Sequence, residues 1–91
     1  MSERVNLRIA KHIGANARRY RTRAGLSQEQ AAVRASLHRT EIGLLERGER
    51  CPRIDTVVKL AGAVGATVAD LLDGIAWEPG ESRPGSFEVR S

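Results

Sequence analysis

The chain has 91 residues, of which 41% are hydrophobic and 29% are charged, and its formal net charge is +4. These values are typical of one small soluble domain, and no apolar run reaches the ~18 residues that a membrane span needs. The charged N-terminal segment MSERVNLRIAKH lacks the apolar core of a signal peptide, and the single cysteine, Cys51, cannot form an internal disulfide. We therefore expect a protein of the reducing cytoplasm.

The charge is divided unevenly along the chain. Residues 1–53 contain 12 Lys or Arg against 5 Asp or Glu, whereas residues 54–91 contain 3 against 6. A basic half of this kind is typical of a protein that binds a polyanion, and nucleic acid is the first candidate. A solvated helical surface with no such partner is the alternative, and charge alone does not separate the two.

The basic half predicts three helices. Apolar residues at spacings of three and four predict a helix over residues 5–24, with Gly25 placed to end it. The apolar positions are Val5, Ile9, Ile13, Ala17, Tyr20 and Ala24. Ser27 and Gln30 have the spacing of a capping box, which predicts a second helix from there to about Arg34. A third helix is predicted over residues 39–47, ending at Gly48.

Two further helices are predicted in the acidic half. Residues 54–64 form an apolar stripe that ends at Gly65, and a second capping box at Thr67 and Asp70 begins the fifth helix. The members of the stripe are Ile54, Val57, Val58, Leu60, Ala61 and Val64. Five short helices joined by tight turns predict a compact all-α domain over residues 1–74.

Residues 75–91 differ in character from the rest. They are rich in Gly, Pro and charge, as a loop is, yet they contain Trp77 and Phe87, two of only three aromatic residues in the chain. A disordered tail is poor in aromatic residues, and Phe87-Glu88-Val89 alternates as a strand does. We predict a strand or hairpin extension that serves in dimerisation or docking. The alternative is that it folds back over its own core.

The second and third helices together predict a helix-turn-helix over about residues 28–47, because a short helix, a tight turn and another short helix make that motif. The small side chain of Ala32 falls where the two helices cross. Leu37, Ile42 and Leu45 point inward and fix the crossing. The N-terminal residues of the third helix are then free to enter a major groove.

Several segments resemble the Xre-type, lambda-repressor-like family of DNA-binding proteins. They are residues 25–28 (GLSQ), 30–32 (QAA), 40–42 (TEI), 45–48 (LERG), 52–54 (PRI), 55–61 (DTVVKLA) and 65–68 (GATV). The segment LHRTEIGLLERG is similar to the controller proteins of restriction–modification systems. The turn has Ser36 where the family usually has glycine, and the second helix has Ala31 where leucine is usual. The resemblance implies a five-helix DNA-binding domain.

The resemblance also implies two sets of DNA contacts. The expected base contacts are Arg39, Thr40, Glu41 and Leu44, and the expected backbone contacts are Gln28, His38, Arg47, Arg50 and Arg53. Arg39 would hold guanine O6 and N7 through two hydrogen bonds, and Glu41 would accept from cytosine or orient Arg39. Gln28 would bind a phosphate or brace the third helix. For each residue the alternative is simple solvent exposure.

The family pattern further pairs an arginine four residues before Gly25 with a glutamate, here Arg21 with Glu46, as a buried structural ion pair. His12 and His38 lack metal-ligand spacing, and no serine has the partners of a catalytic triad. The sequence therefore predicts neither an enzyme nor a cofactor.

The resulting hypothesis is a transcriptional regulator that binds operator DNA as a homodimer. Its dimer surface is expected in the acidic half, at Leu71, Leu72, Trp77 and Phe87. An antitoxin that also neutralises a toxin through its tail remains an alternative, as does a protein-interaction module without an operator.

Overall fold

The computed structural model describes residues 3–90, with side chains from Leu7 onward, and these form five helices and one antiparallel two-stranded sheet. The elements are α1 (Glu3–Arg23), α2 (Gln28–Ala35), α3 (Arg39–Glu46), α4 (Ile54–Val64), α5 (Val68–Leu71), β1 (Ile75–Glu78) and β2 (Ser86–Val89). The predicted five-helix fold and the hairpin extension are confirmed. The predicted apolar face of the first helix includes Val5 and the predicted extension includes residue 91; the side chain of Val5 and residue 91 lie outside the described part of the structure.

Both predicted capping boxes are formed. The Ser27 hydroxyl accepts from the Gln30 N–H at 3.0 Å, and the Gln30 side chain accepts from the Ser27 N–H at 2.8 Å. Thr67 and Asp70 repeat the arrangement at 3.0 and 2.9 Å, and the hydrogen bond from the Thr67 backbone lowers the pKa of Asp70 below its ordinary value. These local bonds begin α2 and α5 where the sequence predicts, because they satisfy N–H groups that a helix leaves unpaired at its start.

The turn between α2 and α3 depends on Ser36. This residue adopts the left-handed conformation, with φ 56° and ψ 42°, in the place where the family usually has glycine. The next N–H, that of Leu37, donates to the Ala32 carbonyl at 2.9 Å, which closes the helix end. Leu37 then packs against the core, so the serine preserves the turn.

The core lies between α1, the helix-turn-helix, α4 and α5. Its buried cluster comprises Ala17, Ala31, Ala32, Ile42, Leu45, Val57, Leu60, Ala61, Val64 and Leu71. The predicted stripe of α4 is wrong at two positions, because Ile54 and Val58 are 70% and 54% exposed. They lie one turn apart on a side of α4 that the core does not cover, while Thr56 and Ala63 are buried instead.

Leu71 corrects a second prediction. The sequence predicts this residue at a dimer surface, but its side chain is 0% exposed and belongs to the core of its own protomer. A second copy can reach it only if α5 comes away from the fold, so the prediction for Leu71 is wrong. Leu72 and Phe87 are half-buried, and Trp77 remains 55% exposed.

Polar side chains of α1 hold the end of α5, which sequence analysis missed. Asn16 is 3% exposed, and its amide donates to the carbonyls of Leu71 at 2.9 Å and Asp73 at 3.0 Å. The Nε2 atom of His12 lies 2.6 Å from the same Asp73 oxygen. The signal in the sequence is an asparagine within the apolar face of a helix, because such a residue needs buried partners.

The hairpin follows directly and contacts α1 through β2. Ile75 pairs with Val89 and Trp77 with Phe87, and the two aromatic rings meet edge to face with centroids 4.9 Å apart. The predicted strand at Phe87-Glu88-Val89 is thus part of β2.

Glu46, the last residue of α3, joins three helices. Its carboxylate accepts from Arg21 of α1 through Nε at 2.5 Å and Nη2 at 2.9 Å, and from Gln28 of α2 at 3.0 Å. Arg21 also donates to the Leu26 carbonyl at 2.8 Å. The side chains of Arg21 and Glu46 are 12% and 5% exposed, and the hydrogen bond to Glu46 raises the pKa of Arg21 above its ordinary value. A nearly buried ion pair therefore fixes α3 against α1.

Replacement of Arg21 by alanine is expected to lower the free energy of unfolding by about 3–5 kcal/mol, because it strands the buried Glu46 carboxylate. Urea or thermal unfolding measures the loss. The stability of Arg21→Lys should lie between those of Arg21→Ala and wild type, because lysine cannot form the bidentate pair with Glu46. Arg83→Ala, in the exposed hairpin loop, is the control and should stay within about 0.5 kcal/mol of wild type. An Arg21→Ala midpoint equal to that of wild type would contradict the role of the pair.

Close packing of α1 on the end of α3 gives a second expectation. A Cβ atom on Gly14 would lie 2.1 Å from the Leu45 carbonyl oxygen, whereas one on Gly62 of α4 would have no neighbour within 4 Å. Gly14→Ala should therefore destabilise the protein by about 1–3 kcal/mol through overpacking. Gly62→Ala, the matched control, should stabilise it by up to about 1 kcal/mol because alanine favours helix. Equal unfolding midpoints for the two variants would show that α1 and α3 do not pack this closely.

Candidate nucleic-acid interface

The first turn of α3 faces solvent while its other side is anchored. Arg39 and Thr40 are exposed, whereas Ile42 and Leu45 are 1% and 2% exposed within the core. Two further predicted base contacts, Glu41 and Leu44, are half-buried. The helix is therefore presented by its N-terminal end, which is the end that reaches base edges when such a helix enters a major groove.

His38 caps α3 with its imidazole. Its Nδ1 atom accepts from the Thr40 N–H at 3.1 Å. An atom that accepts this bond carries no proton, so the neutral ring has its N–H at Nε2. His38 is exposed, and that N–H is a donor suited to a phosphate oxygen.

Arg39 has an ion-pair partner that sequence analysis missed. Its Nη1 lies 3.1 Å from Oε1 of Glu29 on α2, and the two side chains are 65% and 71% exposed. The sequence offers Glu41 as a residue that could orient Arg39, but in the structure Glu29 makes that contact. The pairing crosses the helix-turn-helix, and no spacing rule within one helix predicts it.

Three more predicted DNA-contacting arginines lie in or beside the loop between α3 and α4. Arg47 is paired with Glu49, Arg53 lies 3.4 Å from Asp55, and Arg50 is exposed. The side chains of Arg47 and Arg53 are 59% and 85% exposed. Exposed ion pairs are worth about 0–1 kcal/mol each, so phosphate oxygens can replace the carboxylates at small cost.

Gln28 is turned towards the protein. Its amide donates to the Glu46 carboxylate at 3.0 Å, which makes it a brace between α2 and α3. A phosphate contact by Gln28 stays a prediction. The remaining predicted residues, Trp77 and Phe87, lie on the hairpin, which packs on α1 and is separate in the chain from the helix-turn-helix.

In residues 7–90, no group of three or more His, Cys, Asp or Glu side chains is placed to hold a metal ion. None of the described helices is both long and apolar enough to cross a membrane.

Comparisons with known proteins agree with this geometry. The family described as a helix-turn-helix domain matches residues 12–73. The control protein C.SmaI of Serratia marcescens is 44% identical over 64 residues, which cover 70% of this chain and 76% of that protein. An uncharacterized HTH-type transcriptional regulator of Sinorhizobium fredii is 36% identical over 64 residues, covering 70% of this chain and 83% of that protein.

A solved structure gives the same result. The restriction–modification controller protein C.AhdI of Aeromonas hydrophila superposes with a TM-score of 0.66 at 35% identity, covering 68% of this chain and 94% of that chain. The resemblance to the Xre-type family and to controller proteins is confirmed. The chain belongs to the helix-turn-helix family of DNA-binding transcriptional regulators.

Proposed function

We propose that this protein binds operator DNA as a homodimer and reads its sequence through α3 in the major groove. The observation that carries the proposal is the exposure of Arg39 and Thr40 on a helix whose other side is fixed in the core. A base-reading helix must be held rigidly, because each hydrogen bond to a base edge depends on its direction.

The proposed contacts divide into two kinds. Arg39, Thr40, Glu41 and Leu44 read bases, and Gln28, His38, Arg47, Arg50 and Arg53 position the protein on phosphates. The exposure of Arg47, Arg50 and Arg53 beside α3 supports the second set. Phosphate contacts carry affinity and its dependence on salt, whereas base contacts carry the sequence preference.

A dimer is proposed because one α3 reads only a few base pairs. Two copies related by a dyad read half-sites about 34–36 Å apart, which is one turn of DNA. Ile54 and Val58 are the strongest support for an interface, since they are exposed apolar side chains one turn apart on α4, in the acidic half. Ile54 directly follows Arg53, so contact between two α4 helices would place the arginine loops of both protomers near the dyad.

The relatives suggest the biological setting. C.SmaI and C.AhdI are controller proteins, the latter of a restriction–modification system. We propose that this protein controls such a system, and methyltransferase and endonuclease genes beside its own gene would support that role. A toxin partner forms no part of the proposal.

Selection of bound sites from a random duplex library, followed by titration of the best site, tests base reading. We expect a palindromic consensus, and Arg39→Ala should relax one symmetric position by about 1–3 kcal/mol. Arg47→Ala is the control and should weaken binding to all sequences alike while lowering the salt slope by about 1.8, since each of the two protomers loses one phosphate contact. Tight, steeply salt-dependent binding without any consensus would contradict operator recognition.

Light scattering tests the dimer surface. Val58→Glu should convert a dimer into a monomer at micromolar concentration, because a carboxylate would be buried against its own copy. Val33→Glu is the matched control, since Val33 is 80% exposed on α2 and lies outside the proposed interface. A monomeric wild type would refute the dimer. Dissociation by Trp77→Ala with an intact Val58→Glu dimer would move the interface to the hairpin.

A further inference from the structure

We propose that Glu29 is a positioning residue that sets the base preference of Arg39. This inference rests on the proposed reading of bases by α3. Glu29 belongs to α2, has no predicted DNA contact, and holds Arg39 at 3.1 Å from a helix that packs rigidly against α3.

The geometry leaves Arg39 able to bind a base. The bond to Glu29 uses Nη1 alone, and a guanidinium has five N–H donors in a planar fork. Donors on Nη1 and Nη2 remain for the two acceptors of guanine in the major groove. A side chain held by a carboxylate also loses less rotamer freedom on binding, and it is held in one direction rather than many.

α2 provides a firm base for this contact. Its N-terminus is closed by the Ser27–Gln30 capping box, and Gln28 is bonded to Glu46 at the far end of α3. Glu29 therefore projects from a backbone that is fixed relative to α3, and its carboxylate can impose a direction on Arg39.

Electrostatics separate this role from that of an ordinary surface acid. A carboxylate beside DNA repels phosphates, so its removal alone should strengthen binding to every sequence. Loss of a positioning contact should instead weaken the preference for one base pair. The two effects have different signatures, because the first is uniform across sequences and the second is confined to the Arg39 position.

The experiment is competition binding with Glu29→Gln. Duplexes carry the selected site, each single substitution at the Arg39 position, and substitutions at a position that Arg39→Ala leaves unchanged. We expect the preference at the Arg39 position to fall about two- to fivefold, the range of an exposed ion pair. Preference elsewhere should hold, and affinity for an unrelated duplex should rise. The thermal midpoint should match wild type, since the ion pair is largely exposed.

Two controls make the result specific. Glu49→Gln removes an exposed carboxylate that pairs with a predicted phosphate-binding arginine, Arg47, and should change affinity without changing any base preference. In an Arg39→Ala background, Glu29→Gln should leave the base profile as it is, because the side chain to be positioned is absent.

The outcomes are distinct. A Glu29→Gln protein with the wild-type base profile and uniformly higher affinity would overturn this inference and leave operator recognition standing. A wild-type protein with no preferred base at any position would overturn operator recognition itself and this inference with it. A Glu29→Gln protein whose base preference is reduced equally at all positions would also overturn the inference about Glu29, since that result points to a general change in α3.

Discussion

The arrangement of the helix-turn-helix depends on the Glu46 carboxylate. It lies at the C-terminal end of α3, and it binds Arg21 of α1 and Gln28 of α2 at once. Burying a charge is costly unless its partners satisfy it, and here both oxygens are bonded. The same arginine also holds the Leu26 carbonyl in the connection between α1 and α2. One nearly buried carboxylate thus fixes the orientation of α3 with respect to both neighbouring helices.

This arrangement divides the charged groups of the protein into two classes. The Arg21–Glu46 ion pair is nearly buried and bidentate, so it stays formed and stabilises the fold. The pairs of Arg47 and Arg53 are exposed and weak, so phosphate oxygens can replace their carboxylates at small cost. The number of arginines in the sequence does not distinguish the two classes, because the distinction depends on how deeply each ion pair is buried. A rigid interior and exchangeable surface pairs together give a surface that is fixed in shape yet free to bind phosphates.

Features set by neighbouring residues were predictable from the sequence, and features set by distant contacts were not. The capping boxes at Ser27 and Thr67 act over three residues, and α2 and α5 begin where they indicate. The apolar stripe of α4 gave the helix correctly but included Ile54 and Val58, which periodicity cannot distinguish from buried neighbours. The prediction for Leu71 is wrong in the opposite direction, because the sequence of so short a helix does not show which of its side chains are buried. The Arg39–Glu29 contact joins two elements across a turn and needs the crossing geometry of α2 and α3.

The hairpin extends this reasoning beyond the family. The family match ends at residue 73, and the hairpin begins at Ile75, so its place in the fold has to follow from its own contacts. It is anchored where Asn16 and His12 of α1 hold the end of α5, and the Arg90 N–H donates to the Gly74 carbonyl at 2.7 Å. α1 therefore contacts the hairpin and, through His12 and Asn16, holds the segment that precedes it. At Gly14 the same helix packs on the C-terminal end of α3. Because α1 is a single helix, it links the hairpin to the end of α3 that the Arg21–Glu46 pair fixes.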